Sequence, residues 1–150
     1  MALSQLYSDK ILELAANAIQ PARLAKPQAS SRKVSRVCGS VVEVDVVVDK
    51  GVITAYGHTV SACALGQTSA AILAREVIGS NVAEVVSVAA EFRDMLKNGG
   101  APPGGKWADL ACLEPAREFP ARHASTLLAF DAVCEAIEKA THEQTLSEIG

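Results

Sequence analysis

The chain has 150 residues, 49% of them hydrophobic and 21% charged, with a net charge of −3 and an isoelectric point near 5.6. This balance suits one domain, spanning 1–150, with a real hydrophobic core, and excludes a disordered or fibrous chain. The mild acidity excludes bulk attraction to nucleic acid or an anionic membrane, and no apolar run reaches the ~18 residues of a membrane span.

Aromatic residues make up only 4%, so the core is drawn from small and β-branched side chains. The opening MALSQLYSDKIL has an early acidic residue and no basic stretch leading into a long apolar one. The expectation is therefore no signal peptide and a cytoplasmic protein. Thiols stay reduced in that compartment. The four cysteines, at 38, 63, 112 and 134, contain no CxxC pair and so fit neither a zinc ribbon nor a thioredoxin motif. Each alone reads first as a small buried hydrophobe.

From Ser4 to about Ile19, Tyr7, Ile11, Leu14, Ala15 and Ala18 form one helical stripe, with Ser4 as N-cap and Pro21 as the stop. Residues 21–37 then turn to Pro, Ser, Gln, Arg and Lys. Arg32, Lys33 and Arg36 read as a solvated loop or a short edge strand blunted by charge, though cations this close to Cys38 would also favour its thiolate.

A Val-rich hairpin follows. Val42, Val44, Val46 and Val48 share one face, and Glu43, Asp45 and Asp49 share the other with Val41 and Val47. The turn is Asp49-Lys50-Gly51, and the return strand runs from Val52 towards Ala62, with Gly57 marking a bulge or a close backbone approach. Cys38 lies 12 residues before Lys50 and Cys63 lies 13 after it. An antiparallel pair brings such positions side by side, so the two thiols meet at one end of the sheet.

Cys63 opens a helix whose apolar face is Ala70, Leu73, Ala74, Val77 and Ile78, closed by Gly79. The positive end of that helix dipole favours an anionic or metal-bound sulfur. The next helix is capped by Ser80 or Asn81, with Glu84 at capping-box spacing, and buries Val82, Val85, Ala89, Phe92 and Leu96 before Asn98-Gly99-Gly100. APPGGK at 101–106 is no phosphate loop, and Trp107 reads as a lid on the core. A Pro-punctuated stretch at 113–122 leads into a last helix from about His123 to Ala140, with Leu127, Phe130, Cys134 and Ile137 inward. Residues 141–150 read as a flexible tail. The fold class expected is α+β: a small antiparallel sheet of two long hairpin strands, or three if 33–37 pairs, packed on one face by about four helices.

The order Cys38-Gly39, Val-rich hairpin, Cys63 and small-residue helix resembles the NifU/IscU/SufU-type iron–sulfur cluster assembly scaffolds, which carry CG[D], a hairpin, a second Cys and a third Cys at a C-terminal helix start. Leu6-Tyr7, Ile11-Leu12, Leu113-Glu114 and Phe119-Pro120-Ala121-Arg122 extend the resemblance over most of the chain, and Ser69 stands on the family's Ser-rich helix face. Two positions depart. Ser40 replaces the Asp, and a gapless placement puts Ser125 where the third Cys belongs; the His of one branch would fall on Ala124, one residue after His123.

The resemblance implies a non-catalytic scaffold that binds iron or a [2Fe–2S] cluster transiently and transfers it to apoproteins, with a cysteine desulfurase as sulfur source. Its implied ligands are Cys38 and Cys63, with His123 as a candidate third and Cys112, in the apolar ALACL run, a lesser one. For His58 a surface or satisfied polar role is expected, and for Ser125 a first-turn cap. The alternative is a degenerate relative, a thiol sulfur acceptor or zinc-binding interaction module without a stable cluster. Whether the chain pairs with a second copy, as a homodimer, stays open at this point.

Overall fold

In the computed structural model, which describes residues 7–18 and 20–149 with side chains to 142, the chain is an antiparallel three-stranded meander covered by helices. Helix α1 spans Asp9–Ala16, and its N-cap is Ser8, whose hydroxyl accepts from the Ile11 amide. The expected bounds Ser4 and Ile19 lie outside the described residues.

Strands β1 (Ala29–Ser35), β2 (Ser40–Asp49) and β3 (Val52–Ser61) lie in that order, so the valine strand is central. The third strand does pair, beginning four residues before Lys33 and ending two before Val37, because residues 36–39 form the turn into β2. Lys50 and Gly51 both take positive φ, 51° and 79°, the geometry that matches a two-residue hairpin turn to strand twist. Val42, Val44, Val46 and Val48 are buried, on the face the helices cover.

The opposite face is not wet where Asp45 stands. Register places Ser30, Asp45 and Gly57 in one row across the three strands. Residues 21–28 cross this row as a strap. Asp45, fully buried, accepts from Arg23 Nε at 2.5 Å, Arg23 Nη2 at 2.8 Å, the Leu24 amide at 3.0 Å and Ser30 Oγ at 2.6 Å. The paired guanidinium is the chief reason its carboxyl stays below the usual carboxylate range. A Cβ at Gly57 would collide with the Ala22 carbonyl oxygen, so Gly57 marks the close approach. The bulge lies a few residues earlier, where Thr54 has no partner between the Val47–Ala55 and Val48–Ile53 pairs.

Helix α2 (Ala64–Glu76) ends one residue sooner than expected, leaving Val77 as C-cap and Ile78 exposed. Helix α3 (Val82–Asn98) buries Val85, Val88, Phe92, Met95 and Leu96 and stops at Gly99 in the left-handed conformation. Its N-cap Asn81 makes no side-chain cap bond; Glu84 turns instead to the Trp107 indole, 2.8 Å away. Trp107 is buried edge-on against Phe130, the lid role expected of it. Residues Gly105–Glu118 and Pro120–Arg122 wind as 3-10 turns, with Pro115 inside the first. Helix α4 (His123–Ile149) packs across β1 and β2 and runs past Ala140 through the segment expected as a tail.

Candidate functional site

The hairpin, the start of α2 and the start of α4 meet at the end of the sheet away from the Lys50-Gly51 turn. Cys38 occupies the four-residue turn between β1 and β2 and is exposed. Cys63 is the half-buried N-cap of α2, two residues after β3 ends. Extending the β2–β3 register past Val41–Ser61 brings both to the same end of the pair. Ser125, fully buried in the first turn of α4, joins them: its Oγ is 3.7 Å from Cys63 Sγ, and it also lies close enough to Cys38 to help lower that thiol's pKa. The Ser125 hydroxyl donates back to the Arg122 carbonyl at 3.2 Å, a bond to the carbonyl three residues earlier rather than the amide-accepting cap expected of it.

Small groups allow this approach. A Cβ on Gly66 would stand 2.8 Å from Ala62 Cβ and 3.0 Å from the Ser125 carbonyl oxygen, so only glycine lets α4 start this close to α2. Ser69 Oγ donates to the Thr126 carbonyl at 2.7 Å, tying the two helices one turn further on.

The electrostatics of Cys38 come from hydroxyls. Ser35 Oγ is 3.4 Å and Ser40 Oγ 3.3 Å from its Sγ, and hydrogen bonds from these two, with a smaller one from Ser125, bring the thiol down to about 7. No cation is among the causes of the shift, and two of the three read as a possible cause are paired elsewhere: Lys33 Nζ lies 2.5 Å from Glu135 and Arg32 Nε 3.8 Å from Glu43. Ser40, in place of an Asp, thus acts as a thiol partner.

The other candidates lie apart. His123 is buried with Nε2 against the Ala116 and Arg117 carbonyls, at 3.1 and 3.2 Å. Cys112 and Cys134 pack against the core, and burial raises each thiol to about 11. His58 is not on the surface: paired with Val44 on the core-facing side of β3, it is 2% exposed, and burial lowers it to about 4. Its Nδ1 meets Tyr56 Oη at 2.8 Å, while Nε2 has no hydrogen-bond partner among the described residues. Among those residues no group of three or more His, Cys, Asp or Glu side chains is placed to hold a metal ion. The structure therefore assembles two thiols and a hydroxyl. Sequence reasoning missed Ser35, whose only signal was a hydroxyl three residues before Cys38.

The chain is 41% identical to a nitrogen-fixing NifU-like protein (N-terminal) from Brucella abortus, over 93% of this chain and 97% of that one, with a TM-score of 0.91. The chain belongs to the NifU-like family. Two proteins named iron–sulfur cluster assembly scaffold protein IscU are more distant relatives of this NifU-like chain. The one from Thermotoga maritima is 24% identical over 93% of this chain and 97% of its own length; that from Streptococcus pyogenes is 25% identical over 74% and 70%. A SUF-system scaffold from Fervidobacterium islandicum, 16% identical over 90% and 98% of the chains with a TM-score of 0.81, shares the fold. No protein-family model matches the sequence. The resemblance read from Cys38-Gly39, the hairpin and Cys63 is borne out.

Proposed function

We propose that this protein is an iron–sulfur cluster assembly scaffold and carrier, which takes iron or a [2Fe–2S] cluster as cargo, holds it transiently through Cys38 and Cys63, and passes it to apoproteins. The observation that carries the proposal is the approach of both thiols to one Ser125 hydroxyl from the two ends of a single hairpin. Thiolates are the soft ligands iron–sulfur chemistry uses, and a thiol on an exposed turn can both load and release. The names of the curated relatives support the same role. In this reading a cysteine desulfurase supplies sulfur, the single domain performs no turnover of its own, and it works in the cytoplasm. No described helix is long and apolar enough to cross a membrane.

Anaerobic reconstitution with ferrous iron and sulfide tests this. Wild type should gain charge-transfer absorption and bound iron, and Cys38→Ala and Cys63→Ala should each lose both. Failure of wild type to gain them, or retention in the variants, overturns the reading.

The hydroxyl at the third position and the low Cys38 thiol favour one second reading, a sulfur acceptor. The Cys38 thiolate would attack the outer sulfur of a donor persulfide, and the donor would leave as its thiolate. A mass gain of one sulfur on Cys38 without cluster formation supports that role, and zinc without iron in the purified protein supports a zinc-binding interaction module.

A further inference from the structure

We propose that the empty site is a redox switch: a hydroperoxide joins Cys38 and Cys63 in a disulfide within one chain, and that bond shuts out cargo. Formation of the bond stands on the two thiols alone, while its effect on cargo rests on the scaffold reading above.

Two sulfurs close to one oxygen are close to each other. The Ser125 hydroxyl stands 3.7 Å from Cys63 Sγ and is also a hydrogen-bond partner of Cys38. The backbone agrees. Carried two residues beyond Val41–Ser61, the β2–β3 register sets Gly39 across from Cys63, which leaves Cys38 one residue from the facing position. Facing residues of an antiparallel pair have Cα atoms about 4.5–5.5 Å apart, and disulfides bridge Cα separations of about 4.4–6.8 Å. The remaining adjustment falls where the fold can make it. Cys38 lies in the exposed turn 36–39, and a Cβ at Gly39 would meet nothing within 4 Å, so there is open space for the turn to shift.

Exposure divides the roles. Cys38 meets the oxidant, and Cys63, half-buried as the N-cap of α2, stands behind it as the resolving thiol. Cys112 and Cys134 pack against the core on other elements. The Cys38 sulfur attacks the outer oxygen of the hydroperoxide, the O–O bond breaks, and an alcohol or water leaves. Cys63 then attacks the resulting sulfenic acid; the S–S bond forms, and the displaced hydroxide leaves as water with the Cys63 proton. Two thiols lose two electrons, and the hydroperoxide gains them. Thiolates are the form of cysteine that binds metal, so the bond removes both soft ligands at once. It also holds Cys38 at a reversible stage, short of sulfinic acid.

The test uses the full chain, reduced, freed of metal with a chelator and treated anaerobically with a stoichiometric amount of hydrogen peroxide. The intact mass should fall by the two hydrogens lost, and non-reducing electrophoresis should show a single chain. Peptide mapping should join the Cys38 and Cys63 peptides with Cys112 and Cys134 still free, and dithiothreitol should reverse the link. A bond between two chains, another pairing, or sulfenic acid that persists on Cys38 overturns the switch. Cys63→Ser should trap Cys38 as a sulfenic acid that dimedone labels, with the circular dichroism unchanged; no label overturns Cys38 as the thiol that meets the oxidant. Cargo is read separately, as anaerobic uptake of ferrous iron without sulfide or added thiol, either of which would reduce the bond. The oxidised chain should take up about tenfold less iron than the reduced chain, and equal uptake overturns the exclusion. A reduced chain that takes up no iron counts against iron as cargo and removes the exclusion with it, while the mapping still decides the bond.

Discussion

Cys38 offers the sharpest prediction, because hydroxyl groups from three elements act on one exposed thiol. Ser35, then Ser40, then Ser125 lower it from an ordinary 9.0 to about 7. At pH 7 about half of the Cys38 population is then thiolate, against about one part in a hundred for an unperturbed thiol, a gain of about fifty-fold. A less basic thiolate is also a weaker nucleophile, and with a Brønsted slope of about 0.4–0.5 two pH units cost about six- to ten-fold per thiolate. The net advantage at pH 7 is about five- to eight-fold. Replacing both near neighbours, Ser35→Ala with Ser40→Ala, should move the midpoint of the alkylation profile upwards towards 9. The rate at pH 7 should fall several-fold while the plateau rate above pH 10 rises, so the two profiles cross. Iodoacetamide labelling as a function of pH, with the Cys38 peptide followed by mass spectrometry, measures both limbs. An unchanged midpoint in the double variant would refute the assignment of the shift to these hydroxyls.

Two further outcomes follow from the packing. Asp45→Asn weakens the strap, and because the Arg23 head is partly in solvent the loss should be about 2–3 kcal/mol rather than that of a fully buried pair. The folded Asp45 carboxyl is held low by Arg23, so its contribution is present above the unfolded value of about 3.9 and is lost as pH falls through the lower folded value. Urea titrations of both proteins should thus differ by a constant amount from pH 7 to about 5 and converge in stronger acid; a difference that does not shrink as the pH falls below about 3.9 would contradict the clamp. Gly66→Ala forces Ala62 and the α4 backbone apart, at a cost of about 1–3 kcal/mol, read as a Tm drop of about 3–10 °C by calorimetry. An unchanged Tm would mean α4 does not depend on that approach.

What could be read in the sequence was what alternation and turn chemistry encode. Four valines at even positions and Asp49-Lys50-Gly51 define the central hairpin, and the near-equal count from Lys50 places both thiols at its open end. Strand β1 was legible only as a conditional element, since ASSRKVS has few residues that favour strands and forms one because β2 offers it a ladder. Asp45 alternates as a solvent-facing residue and is buried only because a strap from earlier in the chain crosses it; no local pattern announces that, although Gly57 directly opposite recorded the close approach. Of the two roles read for His58, the surface one is lost and the polar-partnered one is met at Nδ1 by Tyr56; its inward side is set by a bulge at Thr54 that shifts the register of β3. The hydroxyls around Cys38 went unread because three cations nearby were the louder signal, and the partners of two of them, Glu43 for Arg32 and Glu135 for Lys33, lie on other elements.

The site's three members are separated widely along the chain. Cys63 and Ser125, whose side chains meet at 3.7 Å, are 62 residues apart in sequence. A ribosome releases the hairpin and both thiols well before it releases α4, so for a time the nascent chain carries a pair of cysteines without the wall that orients them. The finished site depends on α4 being in place. Assembly of the site is thereby tied to the folding of α4, and a chain in which α4 is missing or late to fold exposes thiols without presenting a site.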